Sequence, residues 1–250
     1  MATLSVFGIP GLPEITEGAD LADSIAVAAD AAGTPLADRD VVVVTSKVVS
    51  KAEGRTVELA SIEPSVFARE WSATWGKDPA LTEVVLREAR RVVRQLGPVL
   101  ITETHHGFVC ANSGVDQSSS GASGRVVLLP VDPDASARRL RDGFAACGID
   151  AAVIVSDTFG RAWREGQTDV AIGIAGMQPI LSYIGQVDPH GHEFMVQALC
   201  TADELAGAAE LVKGNVSRVP VAVIRGHEWI TDDDAVIAPV LRDPSRDLFR

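Results

Sequence analysis

The sequence predicts an α+β fold in which mixed sheets carry flanking helices, arranged as one domain of two lobes. Three observations carry this expectation. Helix and strand patterns succeed one another without the strict alternation of a parallel α/β protein. Short apolar runs between residues 99 and 129 are separated by polar turns, as in an antiparallel sheet. Neither Gly-x-x-x-x-Gly-Lys-Ser/Thr nor Gly-x-Gly-x-x-Gly behind a strand occurs, which sets aside the P-loop and Rossmann folds.

Taken in order, Leu4 to Ile9 reads as a short strand, and Ala19 to Ala32 as a helix closed by Gly33. Asp40 to Thr45 is a continuous β-branched run, the pattern of a strand buried on both faces. Pro64 to Trp75 reads as a helix. Asp78-Pro79 supplies an N-cap and a proline at the first helical position, opening a helix through about Arg91 with Leu81, Val84, Val85 and Glu88 spaced along it. Val99 to Thr102, Phe108 to Ala111 and Val126 to Leu129 are the brief strands of the antiparallel part. Asp132-Pro133 starts a helix through Ala146, Ala151 to Val155 is a buried strand, Ala202 to Val212 a late helix and Val219 to Ile224 a last strand. Gln117 to Gly124 is rich in Ser and Gly, and no repeat or linker splits the chain.

Composition narrows the function. A chain of 250 residues, 46% hydrophobic, can bury a large core. Its net charge of -12 opposes sequence-independent binding to nucleic acid, which needs a basic face. Anionic ligands must therefore be captured locally. Three cysteines, Cys110, Cys147 and Cys200, lack a Cys-x-x-Cys pair and read as buried, reduced thiols. With no basic leader and no apolar stretch long enough to span a bilayer, a cytoplasmic protein without membrane contact is expected.

The chemistry concentrates at Ser156 to Gln167, where a carboxylate, a hydroxyl, two guanidiniums and an amide follow an apolar run and read as one turn. Asp157 and Thr158 offer oxygen ligands to a hard cation, and Arg161 and Arg164 suit bidentate grip on phosphate or carboxylate. A second segment, Asn112 to Asp116, ends an apolar run in the same way, so two loop carboxylates could share metal. Either aspartate alone also fits a helix N-cap or turn; the neighbouring arginines shift the balance. Thr45 to Lys51 ends a strand in hydroxyls and two lysines, suited to anchoring phosphate or, equally, to a solvated amphipathic turn. His190-Gly191-His192 and His105-His106 lack a third ligand at a telling spacing, and the first reads as a polar hairpin tip. Trp71, Trp75 and Trp229 read as packing anchors, and Asp232 to Asp234 as solvated acids.

Gly11-Leu12-Pro13-Glu14, Val43 to Gly54, Gly114-Val115-Asp116, Leu128-Leu129-Pro130, Ser156 to Arg164 and Pro220 to Gly226 fall in the order and setting of the coenzyme F-420 γ-glutamyl ligase family, which the chain resembles over nearly its whole length. The resemblance implies a GTP-dependent, GDP-forming ligase. It would activate the phospholactate carboxylate of a deazaflavin, join it to the amine of L-glutamate and add further glutamates in some members. It implies a divalent metal, magnesium or manganese, and a monovalent cation. By position, nucleotide contacts would fall on Leu12, Pro13, Glu14, Ile15, Ser46, Lys51, Lys213 and Gly214, and metal ligands on Asp116, Asp157, Thr158 and Asn215. Lys51 and Arg161 would stabilise the transferring group. Where the family usually carries Asn, this chain has Ser119, whose shorter side chain would meet the nucleotide there. Trp163 would wall the deazaflavin. A homodimer through the tryptophan-bearing helices between Pro64 and Gly97, and no nitroreductase-like domain after Arg250, complete the expectations. A metal-dependent nucleotide phosphohydrolase and a non-catalytic nucleotide-binding paralogue are the alternatives.

Overall fold

The structure, a computed structural model, describes residues 3–117, 124–214 and 216–247. Its strands are β1 (Ser5–Ile9), β2 (Val41–Thr45), β3 (Thr56–Glu58), β4 (Ala89–Leu96), β5 (Val99–Thr104), β6 (Val109–Ala111), β7 (Arg125–Val127), β8 (Ala152–Arg161), β9 (Arg164–Met177), β10 (Leu181–Ser182), β11 (Ala198–Leu199), β12 (Val221–Arg225) and β13 (Thr231–Asp232). Its α-helices are α1 (Leu21–Ala31), α2 (Ser46–Ala52), α3 (Val66–Trp75), α4 (Pro79–Glu88), α5 (Pro133–Ala146) and α6 (Thr201–Lys213). This is the expected mixed α+β plan, without a P-loop or Rossmann core.

One six-stranded sheet, ordered β1-β12-β2-β8-β9-β13, organises the molecule. Every pairing in it is antiparallel except β2 with β8, which run parallel from Val41↔Ala152 to Thr45↔Ser156. Val41–Val44, Ala152–Val155 and Val221–Ile224 are fully buried, so both faces of the sheet are covered, as their unbroken apolar runs require. Helix α5 lies on β8 and β9 with α1 packed against it, while α6 lies against β1, β9 and β12. A Cβ at Gly173 on β9 would stand 2.4 Å from the Pro133 backbone, so glycine is what lets α5 start so close to the sheet. Asp134, one residue later, accepts the Ile174 N–H and the Ile237 N–H and clamps the C-terminal segment to the same strand.

A three-stranded sheet, β4-β5-β6, and the β3-β7 pair stand beside this body, with a smaller apolar cluster of Leu59, Val84, Val126 and Leu128 under α4. Asp78 and Asp132 cap α4 and α5 through their carboxylates, as the Asp-Pro pairs predict.

Several expectations need correction. Ser156 to Gln167 is not one turn: β8 runs on to Arg161, Ala162 and Trp163 make the reversal, and β9 returns from Arg164. Asp157 and Thr158 are therefore strand residues, not loop residues. The helix expected through Arg91 stops at Glu88, because Ala89–Leu96 pairs with β5 instead. Of the three thiols, only Cys110 is buried; Cys147 is exposed and Cys200 partly so. Among the described residues no helix is long and apolar enough to cross a membrane.

Candidate active site

The parallel pair sets the site. Because the pairing of β2 with β8 ends at Thr45 and Ser156, the next residue of each, Ser46 and Asp157, lies where the two strands part company. Carboxyl ends of adjacent parallel strands are where open sheets place ligands. The Ser46 hydroxyl, on the first residue of α2, donates to Asp157 Oδ1 at 3.0 Å. Burial pushes the Asp157 carboxyl up to about 6, and the charges of Asp169 and Asp116 add to the rise against hydrogen bonds from Ser46 and the Thr158 backbone. Three acids thus act on one another from separate elements.

Asp116 reaches the site from below the small sheet. Asn112, Ser113 and Gly114 hold consecutive positive φ angles of 52°, 55° and 70°. The strain is held by Ser113, whose N–H donates to the Thr102 hydroxyl and whose own hydroxyl donates to the Val85 carbonyl. Asp116 then exchanges both backbone hydrogen bonds with Val127 and meets Lys47 Nζ at 2.6 Å. One turn along α2, Lys51 Nζ lies 2.5 Å from Glu14 Oε1. Of the Thr45 to Lys51 segment, Thr45 ends β2 and the rest is helix, and its lysines face carboxylates. Cys110 lies close enough that the Asp157 charge adds to the burial that pushes its thiol up to about 12.

A second group stands behind the same strand. Successive strand residues point to opposite faces, so Ser156 and Thr158 share a side that Asp157 does not. Ser156 Oγ donates to Asp169 Oδ2 at 2.9 Å and Thr158 Oγ1 to Asp169 Oδ1 at 2.6 Å, while Lys213 Nζ donates to Asp169 Oδ2 at 2.7 Å and Ser156 Oγ at 2.8 Å. The Lys213 ammonium is committed to this pair inside the protein, which leaves it unsuited to the nucleotide contact expected of it. The Thr158 hydroxyl therefore faces this buried pair and not Asp157, which takes its side chain out of the metal-ligand set expected of it. Asp169 escaped sequence reasoning. Its signal was an acid placed directly before the apolar run Val170 to Met177, where a buried charge needs a partner.

The other expected positions scatter. Leu12 packs against the main core and Ile15 lies within it, so Ile15 offers a ligand only its backbone. Pro13 and Glu14 are exposed, and Gly214 caps α6 at φ 60°. Arg161 sits at the far end of β8, where its guanidinium donates to the Glu165 carbonyl. Ser119 and Asn215 lie outside the described residues, as does most of Gln117 to Gly124. His190 and His192 form a turn whose N–H groups Asp188 accepts, and His106 bonds the Pro130 carbonyl; both pairs play structural parts. Trp229 is buried under the Arg39 guanidinium, 3.6 Å from its ring. Among the described residues no three His, Cys, Asp or Glu side chains gather as a metal cluster.

Comparison with known proteins bears on this arrangement. The model of the family described as F420-0:Gamma-glutamyl ligase matches residues 11–226. The chain belongs to that family. Proteins named coenzyme F420:L-glutamate ligase are similar to it end to end: 41% identical in Methanothermobacter thermautotrophicus, covering 99% of both chains, and 40% identical in Methanopyrus kandleri, covering 100% of this chain and 99% of the relative. The Halobacterium salinarum relative is 42% identical over 90% of this chain and 88% of its own. As a member of the F420-0:γ-glutamyl ligase family, the chain carries within the matched span every residue of the β2-β8 site described above.

Proposed function

We propose that the chain joins L-glutamate to the phospholactate carboxylate of F420-0, using GTP to activate that carboxylate as an acyl phosphate. Membership of the family supports the ligation itself. The observation that carries the finer reading is the convergence of Asp157, Asp116, Ser46, Lys47 and Lys51 where the pairing of β2 with β8 ends.

The donor set fits a divalent ion. Asp157 is a carboxylate whose affinity for a proton is raised first by burial and then by two neighbouring acids, and such a site gains by taking up a cation. Magnesium is commonly held by one or two carboxylates with substrate phosphates and water completing its shell, which the two aspartates can provide. When bound at Asp116 and Asp157, magnesium or manganese would supply charge neutralisation for two anionic substrates; the Thr158 hydroxyl, which faces Asp169 on the other side of β8, is not among the side chains that would hold it.

The chain's own groups do the rest by positioning. Ser46 fixes the orientation of Asp157. Lys47 and Lys51 exchange their present carboxylate partners for nucleotide phosphates, which are stronger acceptors of charge-assisted hydrogen bonds. The acceptor carboxylate oxygen attacks the γ-phosphorus and GDP leaves; the glutamate amine then attacks the acyl carbon, phosphate departs, and the amine proton passes to water. Carboxylates are poor electrophiles, so this activation is what makes the amide bond accessible.

The test is purified protein with GTP, magnesium or manganese, F420-0 and glutamate, with the product read by mass. GDP formation that depends on both acceptor and glutamate supports the ligase. GDP release at the same rate without them identifies a phosphohydrolase, and no turnover with intact binding a silent paralogue.

A further inference from the structure

We propose that the tip of the β8–β9 hairpin is a docking platform for a planar aromatic ring with an anionic arm, in which Trp163 stacks on the ring and Arg161 and Arg164 flank the arm. On the reading above, that ligand is the deazaflavin acceptor, and the proposal rests on that reading for its identity. Beyond Ser156 strand β2 no longer accompanies β8, so from Asp157 to the turn β8 pairs with β9 alone. A two-stranded ribbon has little stability of its own, and its tip is free to be shaped by function.

Three local choices at this tip oppose folding. Trp163 holds φ 58°, a left-handed conformation that a two-residue reversal normally gives to Gly or Asn. Trp163 is 77% exposed. Arg161 and Arg164 face each other across the strands, and like charges in that register repel. Such rule-breaking in one place marks function rather than fold. Indole is the best side chain for stacking, and paired guanidiniums suit a phosphodiester, in a protein whose net charge of -12 would otherwise repel one.

The spacing agrees with the chemistry. Four strand steps carry β8 from Asp157 to Arg161, about 13 Å at 3.3 Å per residue, and the Ala162-Trp163 reversal follows at once. An acceptor whose reacting carboxylate ends a phosphodiester arm needs its ring held at such a distance from the reacting end. The hairpin then places the carboxylate at its base and the ring at its tip.

The experiment compares wild type, W163A and W163F in two ways. Direct fluorescence titration with F420-0, and with the same deazaflavin lacking its phospholactate, reads ring binding without turnover. Base stacking on an aromatic side chain sets the scale, so W163A weakens both ligands about tenfold and W163F restores most of the loss. In turnover, the KM for F420-0 rises by the same factor, while the KM for GTP and kcat stay within about twofold. Unchanged ring affinity in W163A overturns the platform, as does a fall to monomer mass by light scattering with equal loss for both substrates, which would make the tip a subunit contact. If wild type binds the ring through Trp163 yet forms no glutamylated product, the platform stands and the proposed activity fails.

Discussion

Lys213 Nζ and Asp169 Oδ2 stand 2.7 Å apart with side chains only 3% and 2% exposed, an ion pair sealed between the end of α6 and the middle of β9. The Ser156 and Thr158 hydroxyls use the remaining hydrogen-bonding capacity of the pair. The pair therefore fixes the back of the strand whose front carries Asp157.

Removing one partner strands the other charge in a dry interior. K213M is expected to lower unfolding free energy by about 3–5 kcal/mol, and the double variant K213M/D169N to recover more than half of it. Urea denaturation measures both. A K213M protein as stable as wild type would show that water reaches Asp169.

Asp157→Asn and Asp116→Asn each delete a carboxylate from the proposed cation site while keeping its shape. Each is expected to lower ligation at least about a hundredfold at saturating metal, with the folded circular dichroism spectrum retained. Calorimetric titration with manganese should show weaker binding in both. Near-normal turnover in either variant would remove that aspartate from the site.

Glu83 on α4 accepts hydrogen bonds from the Ser65 hydroxyl and N–H and from Arg87, which hold its carboxyl down at about 2 from an ordinary 4.5. A lowered folded-state value means stability that is complete above about pH 4.5 and lost as pH falls through about 2. E83Q is expected to cost about 1–2 kcal/mol at pH 7, with the gap from wild type narrowing at pH 4 and again at pH 3. Unfolding curves at the three pH values decide it; a constant gap contradicts the assignment.

Burial pushes Cys110 and Cys200 each up to about 12, whereas Cys147 is exposed at the end of α5. One thiol per native chain is expected to react readily with Ellman's reagent, the other two at least about a hundredfold more slowly, and all three after unfolding. A fast second thiol would point to local opening at β6 or at the start of α6.

The elements with local punctuation were legible in the sequence. Asp132-Pro133 marked the start of α5 and Asp78-Pro79 that of α4, since a cap and a fixed φ act within one turn. Strand β4 was not legible. Ala89-Arg90-Arg91-Val92-Val93-Arg94 continues a helical pattern, and only pairing with β5 across the Gly97-Pro98 reversal makes it extended. Of the site, Asp116 and Asp157 stood out as acids behind apolar runs, yet their partners Ser46 and Lys47 are set by the parallel register, which no local pattern encodes. Asp169 was hidden for the same reason, because its neighbours Thr158 and Lys213 lie 11 and 44 residues away.

Strand β1 occupies the sheet edge through β12 alone, pairing Ser5 with Arg225 and Ile9 with Val221. During synthesis β1 must therefore wait for β12. At roughly 5–20 residues per second that wait is on the order of 10–40 s, far longer than loop closure or helix formation takes. Strand β2 waits as well, since its neighbours are β8 and β12. Until β8 is made the nascent chain thus carries the all-valine strand Val41–Val44 unpaired on both edges, and that segment is where a holding chaperone has most to protect.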